Sequence, residues 1–269
     1  MESYKIGFIG TGNMGGALAT AVCRAVTGEN VLLCDKNTEK ASELASRTGA
    51  RAVDINTIAS ECRYIFLGVK PQMLSDTIEE ISDILKSRKD KFILVSMAAG
   101  VSVEKINLYA DAWYPTIRIM PNTAVEVGEG MILYTVNSLV DPSSEKDFLG
   151  FMSAAGELDK LPENLIDAGC AVSGCGPAFV YMFIEAMADG GVKCGLSRAA
   201  AVKYAEQTLI GAAKLGKVSG RHPEELKDAV CSPAGSTIAG TFALEKGGFR
   251  ASVIDAVNAA FERTKELGK

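Results

Sequence analysis

A chain of 269 residues with 28 Lys+Arg against 33 Asp+Glu is long enough for two domains and mildly acidic. It has no basic block, so it lacks the phosphate-attracting surface that nucleic-acid binding requires, and a small-molecule partner is expected instead. Seven cysteines, an odd number without a CxxC pair, do not make the disulfide framework of a small secreted protein; with no charged leader or cleavage site at the start, the expected location is the cytoplasm.

Over residues 1–161 short apolar runs alternate with amphipathic stretches, the pattern of βαβ units on a parallel sheet. Strands are expected at Lys5–Ile9, Val31–Asp35, Tyr64–Val69, Phe92–Ser96, Thr116–Met120 and Met131–Thr135, with helices between them. The runs at 64–69 and 92–96 do not alternate polar with apolar, as befits strands covered on both faces. From Pro162 onward the β-rich runs end, and Ala, Leu, Lys and Glu recur at helical spacing. Gly-Gly pairs at 190–191 and 247–248, with Pro177, Pro223 and Pro233, divide residues 162–269 into five or six helices. The expected fold is therefore α/β plus all-α: an N-terminal Rossmann-type dinucleotide-binding domain and a C-terminal helical domain. The uncharged stretch Ala168–Ile184 is too short and too broken by Gly and Pro to span a bilayer, and a helix buried in a protein core is expected there.

Strand 5–9 runs into Gly10-Thr11-Gly12-Asn13-Met14-Gly15, a GxGxxG turn opening a helix. Gly10 makes the tight turn, Gly12 lets backbone approach a pyrophosphate, and Gly15 lets the helix pack close to the strand. The helix start offers free N–H groups to the phosphates. Asp35, at the end of the next strand, stands where a carboxylate accepts from the adenosine ribose and disfavours a 2′-phosphate, whereas the adjacent Lys36 can pair with one. NADH and NADPH both stay open on these residues. Ligands in such sheets lie beyond the carboxyl ends of the strands, which draws in Val69-Lys70-Pro71 and Met97-Ala98-Ala99. Asn122 ends a further strand, as a turn residue or as part of the same crevice.

In the helical half, Ala171-Val-Ser-Gly-Cys-Gly-Pro-Ala-Phe179 interrupts a helix with small residues and a Pro, as if the helix bends around something. Farther on, Ser232, Ser236 and Thr237 accompany Pro233 and Gly235 at a helix start, where N–H groups and hydroxyls can bind a carboxylate. A simple N-cap accounts for one hydroxyl but not for three. The single histidine, His222, lies at another helix start and reads as structural. Cys170, Cys175 and Cys231 have neither a His partner nor metal-ligand spacing, so no nucleophile and no metal site is expected.

These segments, GFIGTGNMG, GVKPQ, SMAAG, MPNTA, AVSGCGPAF with EAMADGGVKCGL, and LKDAVCSPAGSTIAG with LEKGGFR, run in the order found in 1-pyrroline-5-carboxylate reductases, and the chain resembles that family over nearly its whole length. The resemblance implies reduction of 1-pyrroline-5-carboxylate to L-proline by hydride transfer from NADH or NADPH, with a lean to NADPH. It places cofactor contacts on Thr11, Asn13, Met14, Asp35, Lys36, Asn56, Val69, Lys70, Pro71, Met97, Ala98 and Ala99. Substrate contacts fall on Glu163, Ser232, Gly235, Ser236 and Thr237, the Thr237 hydroxyl reaching the ring nitrogen. The family pattern PGGTT reads Pro-Ala-Gly-Ser-Thr here, with Ala234 for a glycine and Ser236 for a threonine, and an Asn of some members is Ala229. A homodimer through the helical half is expected, because helices apolar around most of their circumference cannot all be covered within so small a domain. The family adds that such dimers intertwine and assemble into rings. A β-hydroxyacid dehydrogenase shares the glycine loop but uses a Lys four residues before an Asn in its helical half, a pair not found here. A non-catalytic dinucleotide sensor leaves the Ser232–Thr237 segment without a task.

Overall fold

The computed structural model describes residues 5–267. The chain divides into two compact units: the first reaches to Cys175 and resumes at Ala260, and the second is Gly176–Ala259.

The first unit carries strands β1 (Lys5–Ile9), β2 (Val31–Cys34), β3 (Arg51–Ala52), β4 (Cys62–Leu67), β5 (Ile93–Ser96), β6 (Thr116–Met120), β7 (Gly130–Val136) and β8 (Gly156–Lys160). Around them lie helices α1 (Asn13–Ala25), α2 (Thr38–Thr48), α3 (Ile55–Glu61), α4 (Leu74–Ser87), α5 (Val103–Tyr109), α6 (Pro142–Met152) and α7 (Glu163–Gly169). One sheet results, in the order β3-β2-β1-β4-β5-β6-β7-β8. Alternate residues of the central strands feed two apolar layers, because both faces are covered. Phe8, Tyr64, Phe66 and Val95 join one layer, while Ile65, Leu67 and Leu94 join the other. The strand order reverses between β1 and β4, which opens the ligand crevice of a doubly wound sheet at their carboxyl ends.

Several expectations are corrected here. The second strand stops at Cys34, so Asp35 belongs to the following turn, and the strand expected at 64–69 is Cys62–Leu67. The sheet is not wholly parallel, since β7 runs antiparallel to β6. Neither β3 nor β8 is apolar enough to stand out: both are largely exposed, Arg51-Ala52 at one edge and Gly-Glu-Leu-Asp-Lys at the other. Helix α7 is grouped with the first compact unit, where Ile166 and the following Cys170 pack with Met120 and Leu133 from the sheet.

A π-helical turn, Cys170–Gly174, follows α7 and breaks the helix where the run of small residues begins. The second unit then holds α8 (Gly176–Lys193), α9 (Arg198–Ser219), α10 (Pro223–Ala229), α11 (Ser236–Lys246) and the greater part of α12 (Phe249–Leu267). Among its described residues the fully covered apolar side chains are alanines, Ala188, Ala201 and Ala205. Tyr181, Met182, Val218 and Phe242 are each more than 60% exposed, the last two at 78% and 72%. The helix expected to be buried over 168–184 is therefore not buried by this chain. By length and composition Glu163–Lys193 could cross a membrane, and 11% of its most apolar window is covered.

Candidate active site

The glycine loop follows β1. Gly10 has φ +98°, a left-handed value that favours glycine, and a Cβ there would stand 2.6 Å from the Gly68 carbonyl oxygen. A Cβ on Gly15 would overlap the carbonyl oxygen of Gly10, so this glycine is demanded by the close packing of α1 on the turn. Gly12 is different: a Cβ there meets no atom within 4 Å. Its bareness serves no packing inside the chain and leaves the backbone open to a ligand at the start of α1, whose N-cap makes no side-chain hydrogen bond. This is the arrangement a pyrophosphate needs.

Asp35 braces the loop. Its Oδ2 accepts from the Thr11 amide at 2.7 Å and the Thr11 hydroxyl at 3.1 Å, and its Oδ1 accepts from the Asn37 amide at 3.0 Å. Partial burial pushes the carboxyl up, but the donors of Asn37 and Thr11, together with the charge of Lys40, outweigh it and hold the group below the usual carboxylate range. Lys36 is exposed beside it. Val69, Lys70 and Pro71 leave β4 next to the loop, where the Gly68 amide donates to the Ile9 carbonyl at 2.7 Å, and Met97, Ala98 and Ala99 leave the neighbouring β5. Asn56 stands exposed in the first turn of α3, after the edge strand two positions from β1. The strand ends thus gather the proposed cofactor residues along one edge, with Asn56 outermost.

Glu163 also lies in the first unit, at the first turn of α7. Its Oε1 accepts from the Val103 amide at 2.7 Å and stands 3.5 Å from a guanidinium nitrogen of Arg118. That guanidinium, 3% exposed in the middle of β6, pairs with Asp167 at 2.6 Å. A buried cation needs such partners, and one apolar strand reading Thr-Ile-Arg-Ile-Met is the signal that points to them. Asn122 clasps the next level: its side chain donates to the Ser173 carbonyl at 3.0 Å and accepts from the Met131 amide at 3.3 Å. Arg118, Asp167 and Asn122 thereby hold α7 and the π turn against the strand ends, a role not assigned from sequence.

The hydroxyl-rich segment is in the second unit. The N-cap of α11 is Gly235 and has no side-chain cap, so none of Ser232, Ser236 and Thr237 is spent on capping. A Cβ on Gly235 would collide with the Ser232 hydroxyl, which places that oxygen against the helix start. Ser232, Ser236 and Thr237 are exposed, with the amides of Ser236 and Thr237 in the first turn beside them. Ala234 takes φ +57°, a conformation costly for a residue with a Cβ. Ala234→Gly should stabilise the protein by about 0.5–1 kcal/mol, after allowing for the extra freedom of glycine when unfolded; a thermal melt shifted upward checks this, and an unchanged or lowered Tm contradicts it. His222 caps α10, its Nδ1 accepting from the Glu224 amide at 3.2 Å. All seven cysteines are unpaired, and among the described residues no group of three or more His, Cys, Asp or Glu could hold a metal ion.

Residues 163–267 match the model for pyrroline-5-carboxylate reductase dimerisation, and residues 5–100 match that for NADP oxidoreductase, coenzyme F420-dependent. The chain is 42% identical over 275 residues to a pyrroline-5-carboxylate reductase of Methanosarcina acetivorans, with all of both chains covered. The chain belongs to the pyrroline-5-carboxylate reductase family. The family enzyme of Escherichia coli is 38% identical, with 98% of each chain covered. Among solved structures, a pyrroline carboxylate reductase of Plasmodium falciparum with NADP bound superposes over the full length of both chains with a TM-score of 0.88 at 33% identity. A pyrroline-5-carboxylate reductase of Coxiella burnetii does so at 0.91 and 28%.

Proposed function

We infer that the chain reduces 1-pyrroline-5-carboxylate to L-proline with NADH or NADPH, the last step of proline synthesis. Family membership over the full length supports this, and the observation that carries the chemistry is the uncapped start of α11, with three hydroxyls free for a ligand. A bound reduced nicotinamide cofactor supplies a hydride to the C=N carbon of the substrate. The open backbone at Gly12 and the free amides of α1 take its pyrophosphate, and Gly10, Thr11, Asn13, Met14 and Gly15 shape that cradle. Asp35 fixes the loop through Thr11, while Lys36 and Asn56 flank the adenosine end and Val69–Pro71 and Met97–Ala99 the nicotinamide end. The amides of Ser236 and Thr237, with Gly235 and the Ser232 hydroxyl, hold the substrate carboxylate, and the Thr237 hydroxyl bonds the ring nitrogen. The substrate taken up as the iminium needs no further proton, so alignment and charge placement do the catalytic work. Glu163, its carboxylate held by the Val103 amide and Arg118, is the further substrate contact that the family likeness implies. Mixing the purified protein with NADPH or NADH and pyrroline-5-carboxylate should consume the reduced cofactor; turnover with 3-hydroxy acids and NADP⁺ instead would favour the dehydrogenase reading.

The helical unit assembles with a second copy into a homodimer, and dimers associate further into a ring. Its exposed apolar side chains and a hollow of about 600 Å³ lined by Phe179, Met182, Phe183, Leu244, Phe249 and Val253 are what a partner's helices would cover. The same burial accounts for the apolar character of 163–193 without a membrane, in keeping with a cytoplasmic enzyme and no nucleic-acid partner. Light scattering at micromolar concentration should report at least a dimer, and a monomer would contradict the assignment.

A further inference from the structure

We propose that Lys40, rather than Lys36, is the residue that recognises a phosphate on the adenosine 2′-hydroxyl, an inference that rests on the dinucleotide reading of the glycine loop. A cleft of about 450 Å³ begins at Thr11, Gly12 and Asn13 and continues between α1 and α2. Its walls hold three cations, Arg24, Lys40 and Arg47, and two carboxylates, Glu43 and Glu126. Position along the helices separates the cations. Lys40 is in the first turn of α2, beside the loop; Arg47 is seven residues later, about 10 Å farther along the axis, and Arg24 is eleven residues beyond Asn13, about 16 Å away. Of the three, Lys40 alone belongs to the turn of Asp35 and Asn37, where the adenosine ribose is expected.

The turn that carries Lys40 is held in place. The Lys40 amide donates to the Asn37 side chain at 3.2 Å, and the Asn37 amide donates in turn to Asp35. The aminium charge is near enough to lower the Asp35 carboxyl. Asp35 itself is the group that would exclude a 2′-phosphate, because in NAD-binding sheets it accepts from the ribose hydroxyls. Here both its oxygens already accept from the loop and from Asn37, so three donors offset part of the negative charge that a 2′-phosphate would meet. Lys36 and Lys40 are both exposed, but Lys40 lines the cleft and Lys36 does not.

Calorimetric titration with 2′,5′-ADP and 5′-ADP isolates the 2′-phosphate without turnover. The unaltered protein should bind 2′,5′-ADP more tightly than 5′-ADP. Lys40→Ala should weaken 2′,5′-ADP by about tenfold to a hundredfold, the range of a lost hydrogen bond to a charged group, and change 5′-ADP by less than about twofold. Lys40→Arg should retain the preference, and Lys36→Ala should cost less than Lys40→Ala. Equal weakening of both nucleotides in Lys40→Ala, no weakening, or the larger loss at Lys36→Ala overturns the assignment while leaving the dinucleotide reading intact. Failure of the unaltered protein to bind either nucleotide overturns both.

Discussion

Thr237→Ala should lower kcat/KM for pyrroline-5-carboxylate by about tenfold to a thousandfold, equivalent to about 1.4–4 kcal/mol of transition-state stabilisation. The hydroxyl is expected on the ring nitrogen, whose bonding changes from planar iminium to amine as the carbon is reduced, so its contact strengthens along the step and accelerates it. Thr237→Ser keeps the hydroxyl and should recover most of the rate, and binding of the cofactor should change little in either variant. A structural role makes a different forecast. Capping residues lose about 1 kcal/mol of stability on replacement by alanine, but the cap of α11 is Gly235 and Thr237 is exposed in the first turn. Its removal should therefore alter stability by less than about 0.5 kcal/mol. Steady-state kinetics with a thermal melt on the two variants decides the matter, and near-normal kcat/KM in Thr237→Ala would remove the residue from the mechanism.

The glycine loop offers the second large effect, split between two residues. Gly15→Ala drives a methyl into the Gly10 carbonyl oxygen, which only a shift of backbone can relieve, and should destabilise the fold by about 3 kcal/mol. Gly12→Ala adds a methyl where the chain has nothing within 4 Å, so stability should fall by no more than about 1 kcal/mol, the difference between Gly and Ala at an N-cap. The cost of that methyl appears when a pyrophosphate approaches: cofactor affinity should drop by at least about tenfold. Denaturant unfolding and a cofactor titration on both variants test the division. A Gly12→Ala protein that binds cofactor normally would show that the open backbone is not the phosphate site.

Much of this was readable in the residues because the sheet is covered on both faces: its central strands are unbroken apolar runs, and the glycine loop is fixed in place between the first of them and α1. The parts not readable depend on partners far along the chain. An apolar run such as Gly130–Val136 carries no mark of direction, so its antiparallel pairing with β6 follows from the connection and not from its own residues. Edge strands β3 and β8 are half polar because water covers what neighbours do not. Glu163 came into view through family likeness alone; its partner Arg118 lies forty-five positions earlier, and their approach is made by the packing of α7 on the sheet. The hydroxyls of Ser232, Ser236 and Thr237 were conspicuous in sequence, but that Gly235 takes the cap and leaves all three free is a matter of backbone geometry. The choice between Lys36 and Lys40 likewise turns on which face of the Asp35–Lys40 turn borders the cleft.

The most direct measurement is the fate of the transferred hydrogen. Purified protein supplied with NADPH or NADH deuterated at the nicotinamide C4, in separate preparations for each face, and with pyrroline-5-carboxylate should yield L-proline carrying one deuterium at C5 by NMR, from one face only. Proline absent from the reaction with both cofactors, or proline without deuterium from either face, would contradict the account.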